Sequence, residues 1–256
     1  MSGTATRPRV RLRRVVFIVL VAVLVGMLLA VANTARGWIR TTPRFDPPVL
    51  AGQMVACTAG FYARRGDEVV LTISAHCYNP DVPLTDATGV AGTFGHKAQT
   101  TEGCPAGRFC SPSDFAELVL SPNHIAWGHL NMVDLGPGGY RTFTPDTRPF
   151  ACSDMHEGDR VELAGRGWYR EGRIIQIRPH DSDTDVIFPC MVITDILAGN
   201  GDSGGAVFVN GQPAGVSARE FGRYLGFTPL AEGLANLALT LCTDPDCGLT
   251  PPTPAP

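Results

Sequence analysis

From about Gln53 onward the chain is a succession of short β-rich runs broken by turn residues. The runs are GFYARRGDEVVLTIS, GVAGTFG, DFAELVL, GDRVELAG, GRIIQIRP, DVIFPCMVIT and GAVFVNGQPAGVSA. Val, Ile, Phe and Thr prevail inside them, while Gly, Pro, Asn and Asp sit between them. Asn210-Gly211, between VFV and the run that follows, is a hairpin turn signal. The 29 glycines and 21 prolines suit such a chain. One helix-length pattern comes late, in TPLAEGLANLALTLC, and Gly233 weakens it. Many short strands without alternating helices predict an all-β protein of antiparallel barrels or a sandwich. No internal repeat is evident.

The region before these runs is different. No Asp or Glu occurs before Asp46, yet Arg7, Arg9, Arg11, Arg13 and Arg14 crowd residues 1–14. Residues 15–32, VVFIVLVAVLVGMLLAVA, then carry no charge. At about 1.5 Å per residue such a helix spans roughly 27 Å, near the hydrocarbon thickness of a bilayer. Basic residues ahead of it hold the N-terminus in the cytoplasm and send the rest outside. Two readings stay open: a transmembrane signal-anchor, or a signal peptide cut after Ala30-Val31-Ala32. The functional part is expected outside the cytoplasm either way, tethered to the membrane by the N-terminal helix or secreted. Residues 33–50 read as a Pro-containing linker, and residues 248–256 as a disordered Pro-rich tail.

Without the five leading arginines the remainder of the chain is acidic, which argues against a nucleic-acid partner. All eight cysteines follow the apolar segment, and an even number in exported sequence predicts disulfides. There is no C-x-x-C pair, so neither a zinc site nor any other metal or cofactor is expected.

The chemistry concentrates in GNGDSGGA, residues 199–206. Glycine at that density permits positive φ and close approach to the main chain. Either this is a tight turn entering a strand, or Ser203 is a nucleophile whose flanking amides face a developing oxyanion. The second reading needs a base and an orienting acid. His76 ends the run VVLTISAHC beside Cys77, and Asp114 opens DFAELVL after a small polar loop. Alone, either has an ordinary structural explanation, as a surface histidine or a turn aspartate. Together, in the order His, Asp, Ser, they match one known solution to triad geometry.

S-A-H-C, D-F-A-E-L-V and G-D-S-G-G resemble the three signatures of the chymotrypsin-fold serine proteases. Cys57-Thr58-Ala59-Gly60-Phe61 is similar to the bacterial streptogrisin and alpha-lytic branch. The resemblance spans roughly residues 53–240, with only the motif stretches specific. It implies two packed antiparallel β-barrels, with a C-terminal helix, within residues 51–247: barrel 1 about 51–145 and barrel 2 about 146–247. It implies His76 as general base and then acid, Asp114 as its orienter, Ser203 as nucleophile, and an oxyanion hole from the N–H groups of Gly201 and Ser203. Gly204 and Gly205 then leave room behind the nucleophile. Asp202 is implied to be buried in an ion pair that shapes the oxyanion loop. No R/K-I-V-G-G activation site precedes Cys57, so an internal arginine is the implied partner, with Arg166 the candidate. The bridge closing the histidine loop is implied at Cys57–Cys77. Cys104–Cys110 and Cys242–Cys247 are local pairs, which leaves Cys152 with Cys190.

Several positions depart from the pattern. Ala206 stands where Pro is usual, and Glu117 takes an often apolar position. Ser217-Ala218-Arg219-Glu220 replaces a Ser/Gly-rich segment that pairs with substrate backbone. Leu197, six residues before Ser203, stands where trypsin-like enzymes carry a pocket-floor Asp. With Ser217 and Ala218 it is expected to form an apolar substrate pocket, and Asp195 is the one nearby carboxylate that could change this. The expectation is a monomeric, exported serine endopeptidase acting on polypeptides through an acyl-enzyme. The alternative is a weak or inactive protease-fold binding or scaffolding protein. An α/β-hydrolase esterase is disfavoured by chain order, because the histidine comes first.

Overall fold

The computed structural model describes residues 48–55, 57–79, 81, 83–86, 89–98, 109–110, 113–166, 168–178, 186–187 and 189–251. They belong to one compact unit, Pro43–Pro256. The apolar run 15–32, most of the linker, Cys104 and residues 252–256 lie outside the described residues. Among the described residues no helix is long and apolar enough to cross a membrane.

The chain is mostly β. In the first half the strands are β1 (Tyr62–Arg65), β2 (Glu68–Ile73), β3 (Leu84–Asp86), β4 (Gly89–Lys97), β5 (Phe109–Cys110), β6 (Ala116–Leu120), β7 (Met132–Asp134) and β8 (Tyr140–Thr142). In the second half they are β9 (Arg160–Gly165), β10 (Trp168–Arg178), β11 (Val186–Ile187), β12 (Met191–Leu197), β13 (Ala206–Val209), β14 (Gln212–Phe221), β15 (Tyr224–Pro229) and β16 (Thr240–Leu241). The helix α1 (Leu230–Asn236) lies between the last two strands.

The second half closes into a six-stranded antiparallel barrel in the order β10-β12-β15-β14-β13-β9, with β9 pairing back onto β10. Val161, Leu163, Val192, Val207 and Phe227 fill its interior. The β13–β14 hairpin turns at Asn210 and Gly211, both at positive φ as a two-residue turn of the strand-matching hand requires. The first half is a six-stranded antiparallel sheet, β16-β1-β2-β6-β4-β3, which among the described residues does not close into the barrel 1 expected over 51–145. Its edge strands are only two and three residues long, and among the described residues they do not pair with each other. The strand β16 also returns from the C-terminal end to pair with β1, beyond the stretch 51–145.

The two halves meet over aromatic rings. Phe61 lies 5.7 Å from Phe208 in an edge-on arrangement and 5.9 Å from Phe143. Three disulfides are formed among the described residues: Cys57–Cys77, Cys152–Cys190 and Cys242–Cys247. The proposed mate of Cys110, Cys104, lies outside them.

The helix α1 has seven residues, shorter than the late pattern suggested, and Ala238 at φ 52 follows its end. Gly233 is there for packing. A Cβ at this position would stand 2.5 Å from ring carbons of the fully buried Phe115. The helix thus presses on the residue that follows Asp114, and Asn236 Nδ2 reaches Ser113 Oγ at 3.5 Å. Gly233→Ala is expected to destabilise the fold by up to about 2 kcal/mol. The overpacking cost of about 1–3 kcal/mol exceeds the helix-propensity gain of about 1 kcal/mol. A urea midpoint at or above that of the parent chain would show that the ring yields to the methyl group.

Candidate active site

The site lies along the seam between the halves, and each half supplies part of it. The strand β2 ends at Ile73, and Ala75–Cys77 forms one 3-10 turn that carries His76. The Cys57–Cys77 bridge ties that turn to the segment before β1. Asp114 precedes β6, the neighbour of β2, so strand pairing brings the two side chains together. His76 Nδ1 lies 2.6 Å from Asp114 Oδ2, and the His76 backbone N–H donates to Asp114 Oδ1 at 3.0 Å. Both carboxylate oxygens therefore face one residue. Asp114 is 6% exposed, while the imidazole is about half exposed.

Burial pulls the His76 pKa down, and the Arg219 charge adds to that pull. The hydrogen bond and negative charge of Asp114 outweigh both and leave the imidazole above its ordinary value of 6.5. The arrangement fixes one ring nitrogen as the donor to Asp114 and leaves Nε2 as the face for proton transfer.

Ser203 comes from the loop between β12 and β13. The next residue, Gly204, has φ +87, and a Cβ there would lie 2.1 Å from the Thr58 carbonyl oxygen. A side chain has no place there, so the backbone of 203–204 packs directly on the first half. Ser217 O accepts two hydrogen bonds at this point, from Gly204 N–H at 2.8 Å and from Ser74 Oγ–H at 2.5 Å. One carbonyl thus fixes the residue after Ser203 and the residue two before His76. Ser203 Oγ and His76 share no hydrogen bond among the described residues. Such bonds commonly tighten only when substrate is bound.

The loop's backbone groups are engaged in alternation. Asp202 N–H donates to Gly199 O, Gly204 N–H to Ser217 O, and Gly205 N–H to Asp202 O. The N–H groups of Gly201 and Ser203 donate to nothing among the described residues. Gly201 has φ +94, which favours glycine and turns its amide away from the strand direction. Two unengaged amides on either side of one peptide unit are what an anionic oxygen needs.

Asp202 is 2% exposed, and its partner is Arg170 rather than Arg166. Arg170 Nη2 donates to Asp202 Oδ1 while Nη1 donates to Leu197 O at 2.8 Å. The Gly199 N–H donates to the other oxygen, Oδ2, at 2.7 Å. Arg166 sits in the turn before β10 at φ 50 and is exposed, whereas Arg170 lies on β10 alongside the loop. The two arginines and Asp202 line a cavity of about 300 Å³ with Tyr169 and Gly199.

The substrate-pocket candidates fall on two strands, β12 and β14, with β15 between them. Leu197 ends β12, pairs with Tyr224 and is 56% exposed. Ser217 and Ala218 lie on β14 and are buried, Ala218 against Met191 and Phe221. Asp195 is already engaged, accepting the Arg173 N–H at 2.6 Å across the β10–β12 pair. Glu117 is fully buried and accepts from Arg65 Nη2 at 2.6 Å and from the His96 N–H at 3.1 Å, which explains an acid at an apolar-looking position. Among the described residues the one cluster with metal-ligating atom types is Cys57, His76 and Cys77, and both of its sulfurs are in a disulfide.

No family model matches the chain, and no curated protein does. Solved structures do. A glutamic-acid-specific serine protease described as using a histidine triad in substrate binding matches at 19% identity and TM-score 0.56, covering 75% of this chain and 100% of its own. Cellulomonas bogoriensis chymotrypsin matches at 20% identity and TM-score 0.56, covering 76% of this chain and 98% of its own. The alpha-lytic protease homolog N4 matches at 20% identity and TM-score 0.53, covering 75% and 97%. At these identities the likeness is one of fold, and the chain has the chymotrypsin-like fold that these serine proteases share.

Proposed function

We propose that the chain is an exported serine endopeptidase. The observation that carries this reading is the pairing of His76 Nδ1 with a buried Asp114 beside a loop whose unengaged amides are those of Gly201 and Ser203. In the proposed reaction Ser203 Oγ attacks the scissile carbonyl as His76 Nε2 takes its proton. The negative oxygen of the tetrahedral intermediate accepts from the Gly201 and Ser203 amides. His76 then returns the proton to the leaving amine, which leaves an acyl-enzyme. Water, activated by the same imidazole, releases the acid. Asp114 holds the tautomer and stabilises the imidazolium throughout. Arg170 does for Asp202 what a newly cut N-terminal amine would otherwise do, so the oxyanion loop needs no activating cleavage. The disulfides and the apolar run 15–32 support export, with the protease tethered by that run or released after Ala32.

A fluorophosphonate tests the chemistry, since it adds only to an activated serine. The full chain is expected to label, and Ser203→Ala is expected not to. The labelling rate should rise with pH along a limb whose midpoint lies above 6.5, because only neutral His76 acts as base and Asp114 holds its pKa up. Asp114→Asn removes that charge and should move the limb to lower pH. It should also cut the rate by a factor on the order of 10⁴, through the wrong tautomer. A full chain that never labels would favour the binding-protein alternative.

For specificity, the apolar, exposed Leu197 and the engagement of Asp195 with β10 support cleavage after small-to-medium apolar or aromatic residues. With Asp195 engaged on β10, a buried Lys or Arg would lack the carboxylate that this stretch offers. Neighbouring apolar side chains should be separated by only about 1–3 kcal/mol per methylene. A peptide library varied at the acyl-side residue reads this directly. Dominant cleavage after Lys or Arg, lost in Asp195→Ala, would place Asp195 in the pocket, and dominant cleavage after Glu would refute an apolar pocket altogether.

A further inference from the structure

Thr58 is fully buried, and its two polar groups both reach the loop that carries Ser203. Its hydroxyl donates to Gly201 O at 2.6 Å, and its backbone N–H donates to Ser203 O at 2.8 Å. The Arg166 N–H donates to the same hydroxyl oxygen at 2.8 Å. That incoming bond occupies an acceptor site on Oγ1 and leaves the hydroxyl proton for Gly201 O. Donor and acceptor roles at this side chain are therefore settled by its neighbours.

The consequence lies in the peptide units. Between Gly201 and Gly204 three carbonyls could swing: Gly201 O, Asp202 O and Ser203 O. The first is held by the Thr58 hydroxyl, the second by Gly205 N–H at 2.9 Å, and the third by Thr58 N–H. The peptide joining Gly201 to Asp202 is held at both ends, since its N–H donates to Gly199 O at 3.0 Å. Glycine at φ +94 has the conformational freedom to let its own amide rotate out of the hole, and fixing the peptide that follows removes much of that freedom. We infer that Thr58 is a positioning residue for the oxyanion hole: its hydroxyl keeps the Gly201 amide aimed at the reacting carbonyl. The inference rests on the protease reading above and adds a residue from the first half of the fold to a loop of the second. Arg170 steadies the loop from the Asp202 side, and Thr58 steadies it from the opposite side.

A hydroxyl that acts this way should matter for the tetrahedral state and not for ground-state binding. The test compares the full chain, solubilised in detergent, with Thr58→Val, Thr58→Ala and Thr58→Ser. It reads kcat and KM on a peptide ester, affinity for a peptide boronic acid, and melting temperature. Boronic acids form a tetrahedral anion with the serine oxygen and so report on the hole itself. In Thr58→Val, kcat should fall by about 10- to 100-fold, below the 10²–10³ lost when a hole donor is deleted outright. KM should stay near its original value, and boronate affinity should fall by the same factor as kcat. Thr58→Ser should restore both. Thr58→Ala repeats the measurement without the valine methyl groups and stands in if Thr58→Val does not fold. Unchanged kcat and boronate affinity in the valine or alanine variant would overturn the inference while leaving the protease reading intact. A serine variant as impaired as alanine would overturn it too, by showing that the methyl group and not the hydroxyl matters. A parent chain that neither turns over ester nor binds boronate would refute the protease reading itself, and the inference with it.

Discussion

The carbonyl oxygen of Ser217 is the joint on which this structure turns. It accepts from Ser74 Oγ in the first half and from Gly204 N–H in the second, and both contacts are buried. Ser74 stands two residues before His76, and Gly204 follows Ser203. His76 lies in a 3-10 turn and Ser203 in a loop, so no strand pairing sets their register. A typical buried hydrogen bond adds only about 0.5–1.5 kcal/mol net, yet leaving such a group unsatisfied costs more. A displacement of about 1 Å at a reacting centre can cost about 10²-fold in rate. The value of this joint is therefore geometric more than energetic. The Phe61–Phe208 contact presses the halves together, and the Ser217 carbonyl sets how they align.

The buried acids divide by partner. Asp202 faces Arg170, Glu117 faces Arg65 and the exposed ring of His96, and Glu162 faces Arg141 and Arg160. An arginine stays charged at any ordinary pH, so these pairs are fixed features, and removing one partner would leave a costly buried charge. Among the described residues no arginine pairs with Asp114. Its two oxygens are met by the amide and the ring of His76 alone. It therefore faces a partner that can gain a proton near neutral pH, and it stabilises that gain. A structural ion pair and the proposed proton-transfer pair differ here by one side-chain type.

Local chemistry was legible in the sequence, and long-range pairing only where a family-like motif marked it. The Asn210-Gly211 turn follows from its dipeptide, and the glycines around Ser203 signal backbone packed against backbone before any contact is known. Arg170 was missed because Arg166 and Arg170 look equivalent until the turn at Arg166 and the register of β10 decide which one reaches Asp202. Glu117 looked misplaced because its cation, Arg65, comes from a strand 52 residues away. Thr58 read only as part of a family-like stretch, since nothing in C-T-A-G-F says that its hydroxyl meets Gly201 across the molecule. Gly233 read as a defect in a helix, and only the Phe115 ring explains it. The first sheet's use of β16 was likewise invisible, because two residues near the end carry no periodic signal.

These features support one proposal: the oxyanion loop is assembled by groups already inside the chain, Arg170 and Thr58, with no call on a new terminus. Active-site titration of the unprocessed chain, its original N-terminus verified by mass spectrometry, tests this most directly. With a slowly deacylated nitrophenyl ester, a rapid burst of about one equivalent of nitrophenol per chain is expected, because acylation precedes turnover in covalent catalysis. A chain that gives no burst until a cut exposes a new N-terminal amine would contradict the self-assembled loop.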